Sequence, residues 1–277
     1  MGRFVPVMFG LLLPLMAAAD GTAADIPRNA AGKPDLNGVW QVLNTANFDI
    51  QAHLARPAMA VRDGPAGPVP AKEVLALGAV GAVPAGHGVV EGGEIPYQEW
   101  AATQQADNQA NWLSRDPEIN CYLPGIPRAN YMPYPFQIFH SDSAIFFAYE
   151  YAGAARDILF EDPGPAPVDT WMGQSVGHWD NDTLVINVSG FNGRPWFDRS
   201  GNFASETLQV TERFTVTSTH TMEYRAEIVD SNVFTRPWTM RMNLYRRVGE
   251  DAELQQFKCV EFVEELMYGK LRKEPLD

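Results

Sequence analysis

Thr207-Leu208-Gln209-Val210-Thr211-Glu212-Arg213-Phe214-Thr215-Val216, and after Thr217-Ser218-Thr219-His220 the run Thr221-Met222-Glu223-Tyr224-Arg225-Ala226-Glu227-Ile228-Val229, decide the fold. Both runs alternate apolar and polar residues with a period of two, as half-buried strands do. In the first, Leu208, Val210, Glu212, Phe214 and Val216 share a face, so a carboxylate sits on an apolar side. In the second, Met222, Tyr224, Ala226 and Ile228 share the apolar face. A short polar turn between two such runs reads as an antiparallel hairpin.

The same period recurs on both sides. Phe136 to His140 and Ala144 to Tyr151 flank Ser141-Asp142-Ser143, and Ala155 to Phe160 follows. Trp171-Met172-Gly173-Gln174-Ser175-Val176-Gly177-His178-Trp179 leads through Asp180-Asn181 into Asp182 to Val188. Thr235 to Arg247 reads as a further strand and Glu253 to Phe262 as the last, with a short helix from about Val263 to Leu271. Upstream, Asp35 to Leu43 reads as the first strand. Asp63 to Gly93, rich in Gly and Pro, reads as a surface loop or insertion, and Tyr97 to Leu113 as a helix opened by Pro96. Prolines rule out helix and central strand across Asp116 to Pro135. This aromatic-rich segment is expected along a barrel mouth. There is no βαβ rhythm, and a long meander removes its edges by closing. The expected fold is mainly β: an antiparallel up-and-down barrel of about 8–10 strands with one or two peripheral helices, wide enough for one small ligand.

The chain has 277 residues, 45% hydrophobic and 20% charged, with a net charge of −13. That acidity disfavours nucleic acid and anionic membranes as partners. Met1-Gly2-Arg3, the apolar run Phe4 to Ala19 and the small residues up to Ala24 read as a cleaved signal peptide over 1–24. Pro6 and Pro14 argue against a membrane anchor. Residues 25–277 are then one exported domain, periplasmic or secreted, with no stable membrane insertion. In an oxidising compartment the two cysteines, Cys121 and Cys259, favour one disulfide over two buried thiols.

Period-two phase offers five inward ionisable or phenolic groups: Glu150, Arg156, Glu212, Tyr224 and Arg236. Buried charges rarely stand alone. They form either a structural Glu–Arg plug or a polar cluster that orients a ligand or moves protons. The five histidines lack metal-ligand spacing, so neither metal nor cofactor is expected. Gly173-x-Ser175-x-Gly177 matches a nucleophile elbow formally, but it precedes a strand rather than a strand-to-helix turn. Turn chemistry accounts for Asp180-Asn181-Asp182, where a calcium site is the rival explanation.

Asp116-Pro117-Glu118 to Cys121, Pro124-Gly125-x-Pro127-Arg128, Pro133-Tyr134-Pro135-Phe136-Gln137, Trp171-x-Gly173-x-Ser175-x-Gly177-x-Trp179, Asp182-Thr183-Leu184-Val185, Glu212-Arg213, Thr235-Arg236-Pro237-Trp238 and Cys259-x-Glu261 resemble a motif set of exported bacterial proteins, mostly without an assigned function. The resemblance covers about Ile95 to Leu271 and implies no activity. A barrel with inward Tyr, Arg and Glu also resembles calycin (lipocalin-type) barrels. Some of these carry apolar ligands. Others, the phenolic acid decarboxylases, use such residues for cofactor-free acid/base chemistry.

The sequence therefore points to a small apolar or aromatic compound as the partner. The first expectation is an enzyme of lyase, decarboxylase, isomerase or hydratase type, ahead of a carrier, and it would use Glu212 or Glu150 as acid/base with Tyr224 assisting. Arg156 or Arg236 would hold a carboxylate or developing charge, and Trp238, Tyr134 and Trp171 would contact substrate. As a lipocalin-like carrier it would need no titrating group. A carbohydrate hydrolase would require two carboxylates about 5–9.5 Å apart in an open cleft.

Overall fold

A computed structural model of the chain describes residues 26–57, 61–64, 67–70, 82–118, 120–257 and 259. Thirteen strands are described: β1 Gly38–Val42, β2 Arg56–Pro57, β3 Val61–Gly64, β4 Gly67–Pro70, β5 Ala82–Val83, β6 Phe136–His140, β7 Ile145–Tyr149, β8 Ala155–Ile158, β9 Gln174–Asp180, β10 Thr183–Ser189, β11 Gln209–Ser218, β12 Thr221–Val229 and β13 Trp238–Arg246. Nine form one sheet in the order β8-β7-β6-β1-β13-β12-β11-β10-β9. Every pairing in it is antiparallel. This is the expected mainly-β, up-and-down, lipocalin-like barrel, nearly closed.

The strand count dictates where the barrel breaks. A ring of nine strands cannot be antiparallel at every junction, so one neighbour pair must run parallel. That pair is β8 and β9. They meet only at a parallel bridge, Leu159 to Val176, where Leu159 N donates to Ser175 O (3.0 Å) and Gly177 N donates to Leu159 O (2.8 Å). Gly177 permits the approach: a Cβ there would lie 2.4 Å from Ile158 Cγ2. Parallel neighbours cannot be joined by a tight hairpin. Residues 160–173 therefore travel back along the barrel before β9 starts, and they roof the seam.

The core follows the central hairpin. Val210, Glu212, Phe214 and Val216 of β11 are buried, as are Met222, Tyr224, Ala226 and Ile228 of β12, with Phe214 opposite Tyr224. Phe136, Phe147, Phe214 and Tyr224 line up as an aromatic row with centroids 4.9–5.8 Å apart, spacings suited to offset and tilted rings. Within the expected 63–93 loop, β2 pairs β5 and β3 pairs β4. Val90 then bridges Met240, continuing the β1 side of β13. The expected 97–113 helix is α1, Glu99–Ala110, followed by a helical turn, Trp112–Arg115. Ala101 anchors α1 in the core, while Trp100 is exposed. Residues 253–257 form no strand, in contrast to the expected last strand. The rest of that strand, the 263–271 helix and the signal peptide lie outside the described residues.

Cys121 and Cys259 form the expected disulfide, with Cα atoms 5.6 Å apart. Such a bond belongs to an oxidising, non-cytoplasmic compartment.

Candidate functional site

Three of the five proposed inward groups meet inside the barrel. Glu212, fully buried on β11, accepts from Tyr224 Oη on Oε1 (2.8 Å) and from Asn130 Nδ2 on the same oxygen (2.7 Å). Its other oxygen takes Arg156 Nη2 from β8 in a buried ion pair. Arg156 Nε donates across the seam to Ser175 Oγ of β9 (2.6 Å). Asn130 Oδ1 in turn accepts from Tyr149 Oη (2.9 Å). Burial works against the Arg156 charge, and Glu212 more than restores it. Burial, reinforced by Glu212, drives the Tyr224 phenol far above its ordinary range. Burial likewise raises Tyr149, with Arg156 opposing.

Two proposed groups lie elsewhere. Glu150 follows the end of β7 and accepts from Gln255 N (2.7 Å). The buried face of β7 is Ile145, Phe147 and Tyr149, not Ala144, Phe146, Ala148 and Glu150. Both faces of that strand are apolar, so alternation fixes no phase. Arg236 is exposed and, among the described residues, bonds only the neighbouring Pro237 carbonyl (3.3 Å). Its chain bends before β13, and the period counted through Phe234 does not extend across Pro237. Of the proposed substrate contacts, Trp238 is buried edge-on between Phe197 and Phe234. Tyr134 packs on Tyr151 and Phe257. Trp171 stacks on Tyr122 at 4.8 Å. None of the three joins the cluster.

Asn130 and Tyr149 escaped the sequence reasoning, and Ser175 entered it only as a nucleophile and not as a partner of Arg156. Asn130 sits on a buried turn, Arg128–Tyr131, inserted from the proline-rich segment. The Gly-x-Ser-x-Gly match has a packing origin. Gly173 takes φ +68° where a Cβ would lie 2.8 Å from Val188, Gly177 admits β8, and Ser175 points inward to Arg156.

A second buried network escaped as well. Arg128 grips both Asp116 oxygens (2.8 and 2.9 Å), Glu118 (2.7 Å) and Asn47 (2.9 Å). Arg199 holds Glu118 through Nε (2.8 Å) and Nη2 (3.0 Å). Burial pushes the Glu118 carboxyl up, but Arg199 and Arg128 outweigh it and hold it at about 2, below the ordinary 4.5. A depressed carboxylate contributes stability above its unfolded value, and that stability fades as pH falls from about 4.5 to about 2. Urea midpoints measured across this window should fall with acidification by an amount equivalent to roughly 3 kcal/mol. Glu118→Gln should lower stability at neutral pH and flatten the acid slope. An unchanged slope in the variant would assign it to other carboxylates.

Arg156 and Ser175 of the Glu212 cluster also line a cavity at the seam. This cavity of about 370 Å³ is lined by Ala155, Arg156 and Asp157, by Leu159, by the loop residues Ala166, Pro167, Val168 and Thr170, and by Met172 to Ser175. Leu159, Phe160 and Val168 expose apolar surface around it. Arg156 Nη1 is sealed from solvent, and the Tyr149 phenol beside Arg156 supports its charge. The chain matches no protein-family model, no curated protein and no solved structure, so what the site does has to be read from its own chemistry.

Proposed function

We propose that this exported protein binds and carries a small, mainly apolar molecule in the seam cavity between β8, β9 and the 160–173 loop. The supporting observation is a cavity of about 370 Å³ at the parallel β8–β9 junction, walled by Leu159, Val168 and Met172 and reached by Arg156 and Ser175 of the buried cluster. The volume lies near the lower end of the range for small-molecule sites, about 300–1,000 Å³. An export address is supported by the disulfide and by the leader-like start of the chain.

The catalytic alternative assigns acid/base work to Glu212. Both of its oxygens already accept hydrogen bonds from buried side chains, one of them from the Tyr224 hydroxyl. A substrate would have to displace one of these partners, so carriage is favoured.

Native mass spectrometry of protein purified from an oxidising compartment tests this. The expected result is an adduct of small, constant mass. Leu159→Asp, a change on the half-exposed cavity wall, should weaken rebinding of that molecule by roughly tenfold or more, the scale of losing one apolar side-chain contact. Conversion of the adduct to a product, abolished by Glu212→Gln, would favour acid/base catalysis. An adduct indifferent to Leu159→Asp would place binding elsewhere.

A further inference from the structure

The parity that leaves β8 and β9 parallel also leaves strand edges open beside the cavity. Tyr149 N donates to Ala154 O (2.9 Å), so Ala154, Arg156 and Ile158 turn their backbone groups to β7. Ala155 and Asp157 alternate with them and turn theirs to the seam, as Leu159 does in bonding Ser175 and Gly177. On β9, Ser175 and Gly177 share the facing edge. The bridge at Leu159 ends the pairing: among the described residues, no backbone bond joins Ala155 or Asp157 to β9. Ala155, Asp157 and Ser175 all line the cavity. The N–H and C=O groups of Ala155 and Asp157, and the Ser175 N–H, therefore border it without a described partner.

An open edge is a template for another strand. Its direction follows from the strand count. A segment running antiparallel to β8 is antiparallel to β9 as well, and a tenth strand completes the alternation that nine cannot. Donors and acceptors both recur along such an edge, so the partner has to supply both at strand spacing, as an extended peptide does. Charge narrows the choice. From Asp157 to Ser175 the chain carries Asp157, Glu161, Asp162 and Asp169 and neither Lys nor Arg. Asp157 is exposed, and a residue directly opposite it on a paired strand shares its face, where a basic side chain is favoured. Leu159, Val168 and Met172 supply an apolar wall beside it.

We infer that the seam edge of β8 docks an extended peptide segment of alternating basic and apolar residues. The segment pairs antiparallel with Ala155 and Asp157, sets a basic side chain against Asp157 and lays an apolar one against Leu159, Val168 and Met172. This goes beyond carriage of a small molecule and shares with it the premise that the seam is a binding site.

Amide exchange and chemical shifts of the folded, oxidised protein test this with acetyl-Lys-Val-Lys-Val-Lys-amide, its Glu-for-Lys counterpart and two N-methylated forms. With the central lysine opposite Asp157, a methyl on that lysine's backbone nitrogen blocks the pair, whereas a methyl on the next valine's nitrogen points away from β8. The parent peptide should shift Ala155, Asp157 and Ser175 and, at saturation, slow exchange of the Ala155 and Asp157 amides at least about tenfold. The lysine-methylated form should bind at least about tenfold more weakly than the valine-methylated form. The Glu peptide should bind about tenfold more weakly than the parent at low salt, with the gap closing in about 1 M salt, where charges are screened within about 3 Å. Asp157→Asn should narrow that gap too. Equal binding of the two methylated forms, or of the Lys and Glu peptides, would overturn the inference. So would a Glu peptide that binds only after Asp157→Asn while the Lys peptide never binds, which would make Asp157 a charge that guards the edge. If no peptide binds while the small-molecule adduct still responds to Leu159→Asp, the inference fails and carriage stands. Peptide pairing in protein that carries no adduct would support the inference and remove carriage.

Discussion

Glu212→Gln will destabilise the barrel by about 3–5 kcal/mol, the scale of removing one partner from a buried ion pair. Gln can still accept from Asn130 and Tyr224 through its carbonyl oxygen. What it loses is the counter-charge to Arg156, whose side chain is 2% exposed. A guanidinium cannot shed its proton to escape burial, so the positive charge stays where water cannot reach it. The opposite change, Arg156→Met, should cost less. A carboxylate left without its cation can take up a proton and become neutral, and a methionine fills the vacated space flexibly. Combining the two changes should recover part of the Glu212→Gln loss, because no charge is then stranded. Urea denaturation of the two single variants and the double variant measures this as a coupling energy. Strict additivity would mean that packing, rather than charge, accounts for the single effects. An Arg156→Met loss as large as that of Glu212→Gln would count against charge stranding as the cause.

The same cluster shows how far the chain can be read without coordinates. The faces of β11 and β12 were legible because their outer sides are rich in Thr, Glu and Arg. Only one phase buries the apolar set, and that phase carries Glu212 and Tyr224 inward. The β7 strand lacked such contrast, so Tyr149 was missed and Glu150 was put in its place. Asn130 was out of reach for a different reason. It arrives on an irregular turn, and no period predicts where such a turn inserts. Arg128 and Asp116 were visible as a motif, but their pairing brings together residues from a segment without regular structure. The seam was recoverable in principle from strand parity, provided the strand count is right. The expected count stayed at about 8–10, because the Glu253 to Phe262 run looks like a strand and forms none over 253–257.

Removing the disulfide should cost about 5 kcal/mol, comparable to the Glu212 effect but through the unfolded chain. Cys121 and Cys259 are 138 residues apart in sequence. Cross-linking a loop of that length removes more conformational freedom from the unfolded ensemble than a short loop does, about 5 kcal/mol on the chain-entropy model. In the folded state the bond ties the segment after β13 to the wall that holds Asp116 and Glu118. Among the described residues that segment also packs Phe257 against Tyr134 and Tyr151, and Gln255 N donates to Glu150. Cys121→Ala/Cys259→Ala and the reduced wild-type protein should therefore unfold at the same, much lower urea concentration. With total stabilities of about 5–15 kcal/mol for natural domains, this leaves little margin, and protein made in a reducing compartment should be partly unfolded. A loss under about 1 kcal/mol would show that the bond only pins the terminal segment to the barrel wall and does not constrain the unfolded chain. A reduced wild type more stable than the double alanine variant would assign the difference to packing of the cysteine side chains themselves.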